Sequence, residues 1–345
     1  MNKNHHLLTA LLALLLSGAA HAQCADPETP PPPSAERLRA ETRTPAEPKR
    51  AACPPVEQMP TPEQLQVGVQ TMRDRGFLWR LTKDGRSSYL YGTIHIGRLE
   101  WAFLGNTVLN ALRDADVLAL ELDLSDPAVK ASIMRSAGAA TRDFTLPPPV
   151  RERLDRQFDA ACLPSRSLAA LHPVMQAITL TLLASRWDGL YAGYGQEFAL
   201  AGAARKLQRQ VVSLETMAEQ MKALVPDDRR RALALLERML DELERDRVRP
   251  RFLRMSAAWE RGDLTELESY EQWCDCVHDD DDRLLMKRLN DDRNQKLADG
   301  IAALHRQGKK VFAAVGALHM TGPQALPKLL AERGFVVERV SYPKQ

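Results

Sequence analysis

The chain has 345 residues, is 44% hydrophobic and carries a formal net charge of +2, enough apolar content for one large domain or two modest ones. Its Lys and Arg are spread along the chain, so there is no basic field for nucleic acid, and no nucleic-acid motif is present. After residue 22 no stretch approaches the roughly 18 apolar residues that read as a spanning helix, so no integral membrane segment is expected in the mature protein.

The N-terminus carries one Lys in residues 1–6, an almost wholly apolar run at 7–16, and a small-x-small ending at Ala20-His21-Ala22. That pattern predicts a bacterial Sec-type signal peptide over 1–22, cleaved after Ala22, and a periplasmic or secreted product. Cys24 raises a lipoprotein alternative, but Gln23 stands where that modification needs a small residue. Residues 23–63 are Pro-rich, with four consecutive prolines at 30–33, and are expected to form a largely disordered tether. All five cysteines follow the cut and meet an oxidising compartment. An odd count leaves one thiol free or shared between chains. The expected pairings are Cys24 with Cys53, and Cys162 with Cys274 or Cys276. Cys274-Asp275-Cys276 lacks zinc-site spacing and has no second Cys pair to complete four thiolates, which favours a disulfide there.

The folded part is expected to begin near Pro62, with Thr61 as cap and a short helix running to about Arg75. Strands at 77–81 and 88–93 flank Asp84-Gly85, a hairpin signal. The second strand runs into Gly92-Thr93-Ile94-His95. A helical pattern over 101–114 leads to a buried strand at 117–120, which ends in Glu121-Leu122-Asp123. A strand–helix–strand of this length implies a right-handed crossover and a parallel pair, with His95 and Glu121 at strand C-terminal ends.

Residues 127–308 read as mostly helical, with candidates at 148–161, 166–184, 195–208, 216–224, 227–247, 248–260, 263–272 and 280–306. One strand candidate, 210–214, ends in Glu215-Thr216. The plan of the first half then returns: a strand at 311–315, Gly316-Ala317-Leu318-His319, a helix over 323–333 and a strand over 335–340. The fold class is therefore α/β, a central mixed sheet built from two similar βαβ-type halves with a large helical insertion at about 127–308. The whole forms one domain over 64–345.

Two histidines in matching contexts point to chemistry more strongly than either alone. His95, His319 and Glu121 together would form a His-His-carboxylate set, a common first shell for a catalytic divalent metal that leaves positions open for water and substrate. Asp123, two residues beyond Glu121, faces the same side by strand alternation as a further ligand or supporting group. The bland reading of such an acid is a helix cap. Arg293 would bind a substrate carboxylate or stabilise an oxyanion, or else pair with Asp291 or Asp292 at the surface. Glu215 is either a support or a cap for the next helix. The run His278 to Asp282 reads as a solvated helix N-terminus rather than a metal site. There is no nucleophile elbow, P-loop, dinucleotide fingerprint or His-Glu-x-x-His helix.

At these residues the chain resembles the TraB/PrgY/GumN family, which includes the Tiki ectodomains. The points of likeness are Gly92 with His95, Leu120-Glu121-Leu122-Asp123, Leu214-Glu215-Thr216 with Gln220, Arg293-Asn294, and Gly316 with His319 and Gly322. They span about 77–340. The resemblance implies an α/β core whose active site joins the two Gly-x-x-His motifs with an acid. It also implies metal-dependent peptidase activity using Mn or Co, as in the Tiki members. His95, His319 and Glu121 would be the metal set, with Glu121 and Arg293 catalytic. Where bacterial relatives often carry Gly-x-Asp, this chain has Gly195-Gln196-Glu197, which leaves the role of that position open.

The resulting expectation is an exported metal-dependent hydrolase, a peptidase on a peptide or small-molecule substrate, with a divalent metal, Mn or Co ahead of Zn. The rival expectations are a non-catalytic ligand- or haem-binding protein and a peptide-sequestering module on the same scaffold.

Overall fold

The computed structural model describes residues 53–129, 131–132 and 144–343. The expected signal peptide, Cys24 and most of the Pro-rich tether lie outside the described residues. Helix α1 (Pro62–Gln70) begins with a capping box, Thr61 Oγ1 accepting from Gln64 N and Gln64 Oε1 accepting from Thr61 N. Strands β1 (Phe77–Lys83) and β2 (Arg86–Thr93) form the hairpin. Asp84 and Gly85 both take positive φ, 51° and 70°, as a tight two-residue turn requires. After β2 come a 3₁₀ turn (Leu99–Ala102), α2 (Asn106–Asp114) and β3 (Val117–Leu120).

The middle of the chain then supplies α3 (Pro148–Ala160), α4 (Pro173–Ala184), α5 (Gln196–Lys206), β4 (Gln210–Ser213), α6 (Met217–Leu224) and α7 (Arg229–Glu244). It continues through α8 (Val248–Arg261), α9 (Leu264–Glu268), α10 (Tyr270–Trp273), α11 (Asp280–Leu289) and α12 (Asp291–Arg306). Strand β5 (Val311–Gly316), a 3₁₀ turn (Ala317–Met320), α13 (Leu326–Glu332) and β6 (Val336–Arg339) complete the described fold.

Local chemistry explains where long helical candidates break. The 166–184 candidate splits because Pro173 must start a helix, and His172 Nδ1 caps it by accepting from Val174 N at 3.2 Å. The 280–306 candidate splits at Asn290, with Leu289 O left free to meet a side chain described below. The Asp run starts α11 as a cap: Asp279 accepts from Asp282 N, and buried Asp282 accepts from His278 N.

The six strands lie in the order β4-β3-β5-β2-β1-β6. This is an α/β fold on a mixed sheet: β2, β5, β3 and β4 pair in parallel, and β1 is antiparallel to both β2 and β6. The two motif-bearing strands are direct neighbours, with Gly92 opposite Val315 and Thr93 opposite Gly316. The crossover from β2 to β3 does run parallel, but the two strands do not pair; β5 sits between them and bonds to both. The other crossover, β5 to β6, passes over β2 and β1. The two connections therefore leave the central pair in opposite directions. Right-handed crossovers of that kind put their helices on opposite faces and open a crevice at the strand C-termini between them. Accordingly α2 packs on α5, and α13 packs on α12.

Strands β3 and β5 are buried along their whole length, as parallel strands covered on both faces must be. The main core joins the sheet to α2, α5, α8, α12 and α13, through Leu112, Leu200, Trp259, Ile301 and Leu330 among others. A second core lies apart, where Leu154 and Phe158 of α3, Leu180 of α4 and Leu236 of α7 meet. Strand β4 extends the sheet, α5, α8, α9 and α12 build its core, and α3, α4 and α7 form a helical layer of their own.

The cysteine pairing differs from the expected one. Cys53 is bonded to Cys162, and Cys274 to Cys276. The first closes a loop of 109 residues, a constraint on the unfolded chain of about 5 kcal/mol, while the second closes almost none. Cys53 pins the start of the described chain to the domain. Beyond it Glu57 Oε2 accepts from Gly193 N (3.2 Å), and Gln58 O accepts from the Tyr194 hydroxyl (2.8 Å). Among the described residues no helix is long and apolar enough to cross a membrane.

Candidate metal centre at the paired strand ends

Because β2 and β5 are adjacent and parallel, their C-terminal ends deliver His95 and His319 to one place, and β3 brings Glu121 alongside. Gly316 lies at the meeting point. A Cβ built on it would stand 3.2 Å from Glu121 Oε1, 3.5 Å from His95 Nε2 and 3.6 Å from His319 Cδ2. The absence of a side chain there is what leaves room between the three groups. Gly92, the equivalent residue of the first motif, has a different task. Its Cβ position faces Phe77, Ala317 and Met320, and its carbonyl accepts from Trp259 Nε1 at 2.8 Å.

Each imidazole is held from behind. His319, in the buried 3₁₀ turn, meets Asn294 Oδ1 through Nδ1 at 2.5 Å, and Asn294 Nδ2 in turn donates to His319 O and Gln324 O. His95 meets Glu197 Oε1 through Nδ1 at 2.9 Å, and that same oxygen accepts from Thr93 Oγ1. Both partners accept, so each Nδ1 carries a proton, and both Nε2 atoms are without a hydrogen-bond partner among the described residues. The electrostatics of the two rings are opposite. The Glu197 carboxylate pushes the His95 imidazole up to about 9. Burial pushes His319 down to about 4, so it is neutral at pH 7.

Glu121 is tied on both oxygens. Oε1 accepts from Gly316 N at 2.7 Å and lies 3.8 Å from His319 Nε2; Oε2 accepts from Arg293 Nη2 and from Gln220 Nε2 at 3.3 Å. Burial works to raise its carboxyl, but His319, Arg293, His95 and the Gly316 N–H hold it well below the usual carboxylate range. Arg293 spends its donors on the protein. Nε bonds Glu215 Oε1 at 3.0 Å, Nη2 reaches Glu215 Oε2 as well as Glu121, and Nη1 bonds Leu289 O at the break between α11 and α12. It makes neither of the surface pairs with Asp291 or Asp292. Glu215 is the support rather than the cap; Thr216 caps α6 instead.

Asp123 stands apart from this group. Strand β3 ends at Leu120, so alternation does not carry to 123, and the carboxylate accepts from Arg205 Nη2 at 2.6 Å and from Ser125 N at 3.0 Å. The sequence reading undervalued Glu197 and Asn294. Both had signals, Glu197 in the Gly-x-acid position and Asn294 beside Arg293, but only the fold puts them behind the two rings.

Two imidazole nitrogens left open by the protein, with a carboxylate oxygen beside them, are a donor set that fits a borderline divalent ion. Among the described residues no three His, Cys, Asp or Glu side chains stand at ion-holding spacing.

Similarity places the chain among known proteins. It is 28% identical over 256 residues to the protein YbaP of Shigella flexneri and equally to that of Escherichia coli K12, covering 71% of this chain and 88% of each relative. A shorter stretch of 88 residues is 34% identical to the metalloprotease TIKI1 of Danio rerio, covering 24% of this chain and 17% of that protein. No solved structure matches. The model of the TraB/PrgY/gumN family matches residues 77–339, the whole sheet with both histidine motifs, and the chain belongs to that family.

Proposed function

We propose that the chain is an exported, metal-dependent hydrolase acting on peptide bonds, with a divalent ion, Mn or Co ahead of Zn, bound by His95, His319 and Glu121. The observation that carries this reading is the convergence of both rings and Glu121 Oε1 on Gly316, with each Nδ1 already committed. Family membership and the partial likeness to a metalloprotease support it. Two disulfides fit an oxidising compartment and so support export.

A bound ion would supply Lewis-acid activation of water and polarisation of the scissile carbonyl. The chain's own residues prepare the site. Glu197 and Asn294 fix ring orientation and aim both Nε2 atoms at the site; His95, held toward its charged form, would give up its Nε2 proton on ion binding. Arg293 keeps Glu121 ionised, which suits an anionic ligand better than a proton acceptor. Arg293 itself acts by positioning Glu121 and not by touching substrate.

The test is metal content and dissociation constants for Mn, Co and Zn on the wild type, His95→Ala and His319→Ala, followed by peptide-library cleavage. Stoichiometric binding lost in both variants, with metal-dependent cleavage by the wild type, is the expected result. A wild type that binds no metal, or variants with unchanged affinity, ends the proposal.

A further inference from the structure

The Cys274–Cys276 disulfide has no structural task that its chain separation explains. Its partners are two residues apart, so it removes little freedom from the unfolded chain, in contrast to the 109-residue separation of Cys53 and Cys162. Asp275 between the two cysteines stands at φ 49°, in the left-handed region that Asp adopts more readily than most residues.

The surroundings hold the loop in place. Arg251 Nε donates to Cys274 O at 2.7 Å and its Nη2 to Asp275 O at 3.4 Å, while Arg247 Nη1 bonds Asp275 Oδ2 at 3.3 Å. Helix α10, which leads into Cys274, is fixed by Trp273 Nε1 donating to Glu266 O and by the Arg254 guanidinium stacked on the indole. The two sulfurs differ in access: Cys274 is 3% exposed and Cys276 is half-buried.

We propose that Cys274–Cys276 is a thiol–disulfide exchange site that oxidises dithiols. The thiolate of an incoming dithiol attacks the more accessible Cys276 Sγ; the Cys274–Cys276 bond breaks, and Cys274 leaves as a thiolate that takes up a proton. The second thiol of the dithiol then attacks its own sulfur in the mixed disulfide, and Cys276 leaves and is protonated. Two electrons and two protons pass from the dithiol to the cysteine pair, and the dithiol becomes a disulfide.

The oxidised full chain is equilibrated anaerobically against graded ratios of reduced to oxidised dithiothreitol, quenched in acid and alkylated. Each cysteine peptide is then quantified by mass spectrometry. Cys274–Cys276 is expected to be half-reduced at a ratio at least tenfold lower than Cys53–Cys162, about 30 mV apart for a two-electron couple. Coincident midpoints, or Cys53–Cys162 opening first, overturn the proposal. In a stopped-flow assay the wild type should oxidise one equivalent of dithiothreitol in a fast phase. That phase should be absent from C274S/C276S and retained in C53S/C162S; its survival in C274S/C276S also overturns the proposal.

Discussion

His95 and His319 close the same Gly-x-x-His pattern on adjacent parallel strands, yet the two rings live in opposite conditions. The His95 side chain is 59% exposed, in an open turn, and is backed by a carboxylate; His319 is 5% exposed, in a 3₁₀ turn, and is backed by an amide. The first is therefore held toward its charged form and the second toward its neutral form. The pattern determines where a ring is delivered. For His95 the carboxylate behind it, drawn from α5, sets the protonation; for His319, backed by an amide from α12, burial does.

The largest way to break this pairing is to release the acid between the two rings. Arg293→Met leaves Glu121 and Glu215 buried without their countercharge, and removing one partner of a buried ion pair costs about 3–5 kcal/mol. Urea denaturation should show that loss, and an unchanged midpoint would mean that the two carboxylates are hydrated in solution.

The glycines sharpen the comparison next. Gly316→Ala puts a methyl into the meeting point of the three groups, whereas Gly92→Ala puts one against Phe77 and Met320. The first should cost about 100-fold or more in metal affinity with little change in melting temperature, by more than the usual loss from a supporting residue. The second should leave affinity alone and cost about 1–3 kcal/mol of stability from overpacking. Titration calorimetry and thermal melts on both variants separate the two roles, and equal affinity losses would contradict them.

The subtlest test exchanges the residues behind the rings. Glu197→Gln should bring the His95 titration down toward the ordinary histidine value, and Asn294→Asp should lift that of His319, both read from imidazole proton shifts in NMR. The signs carry over to stability in the metal-free protein. His95 titrates higher folded than unfolded, so its contribution is complete below about pH 6.5 and is lost as pH rises through about 9. His319 titrates lower folded than unfolded, so its contribution is complete above about pH 6.5 and is lost as pH falls toward 4. Glu197→Gln should flatten the alkaline limb and Asn294→Asp the acid limb. A pH–stability curve unchanged by either variant would refute the assignment.

Much of this arrangement is readable along the chain. The hairpin at Asp84-Gly85, the strands at 117–120 and 311–315, both histidine motifs and the acid at 121 all follow from local signals: turn residues, apolar runs and a strand-ending glycine. Even the short β4 announces itself as an apolar run ending in Glu215-Thr216. These features are local because backbone conformation is chosen among neighbours a few residues apart.

Partnership across the chain is another matter. The insertion of β5 between β2 and β3, the pairing of Cys53 with Cys162, and the places of Glu197 and Asn294 behind the rings join residues far apart in sequence. The hold of Arg293 on Glu121 and Glu215 is of the same kind. Asp123 makes the point in reverse, since the alternation that linked it to Glu121 ended with the strand. Local propensity places a His or a Glu at a strand end, but only packing in three dimensions chooses how deeply it is buried and which group faces it, and these two set its charge.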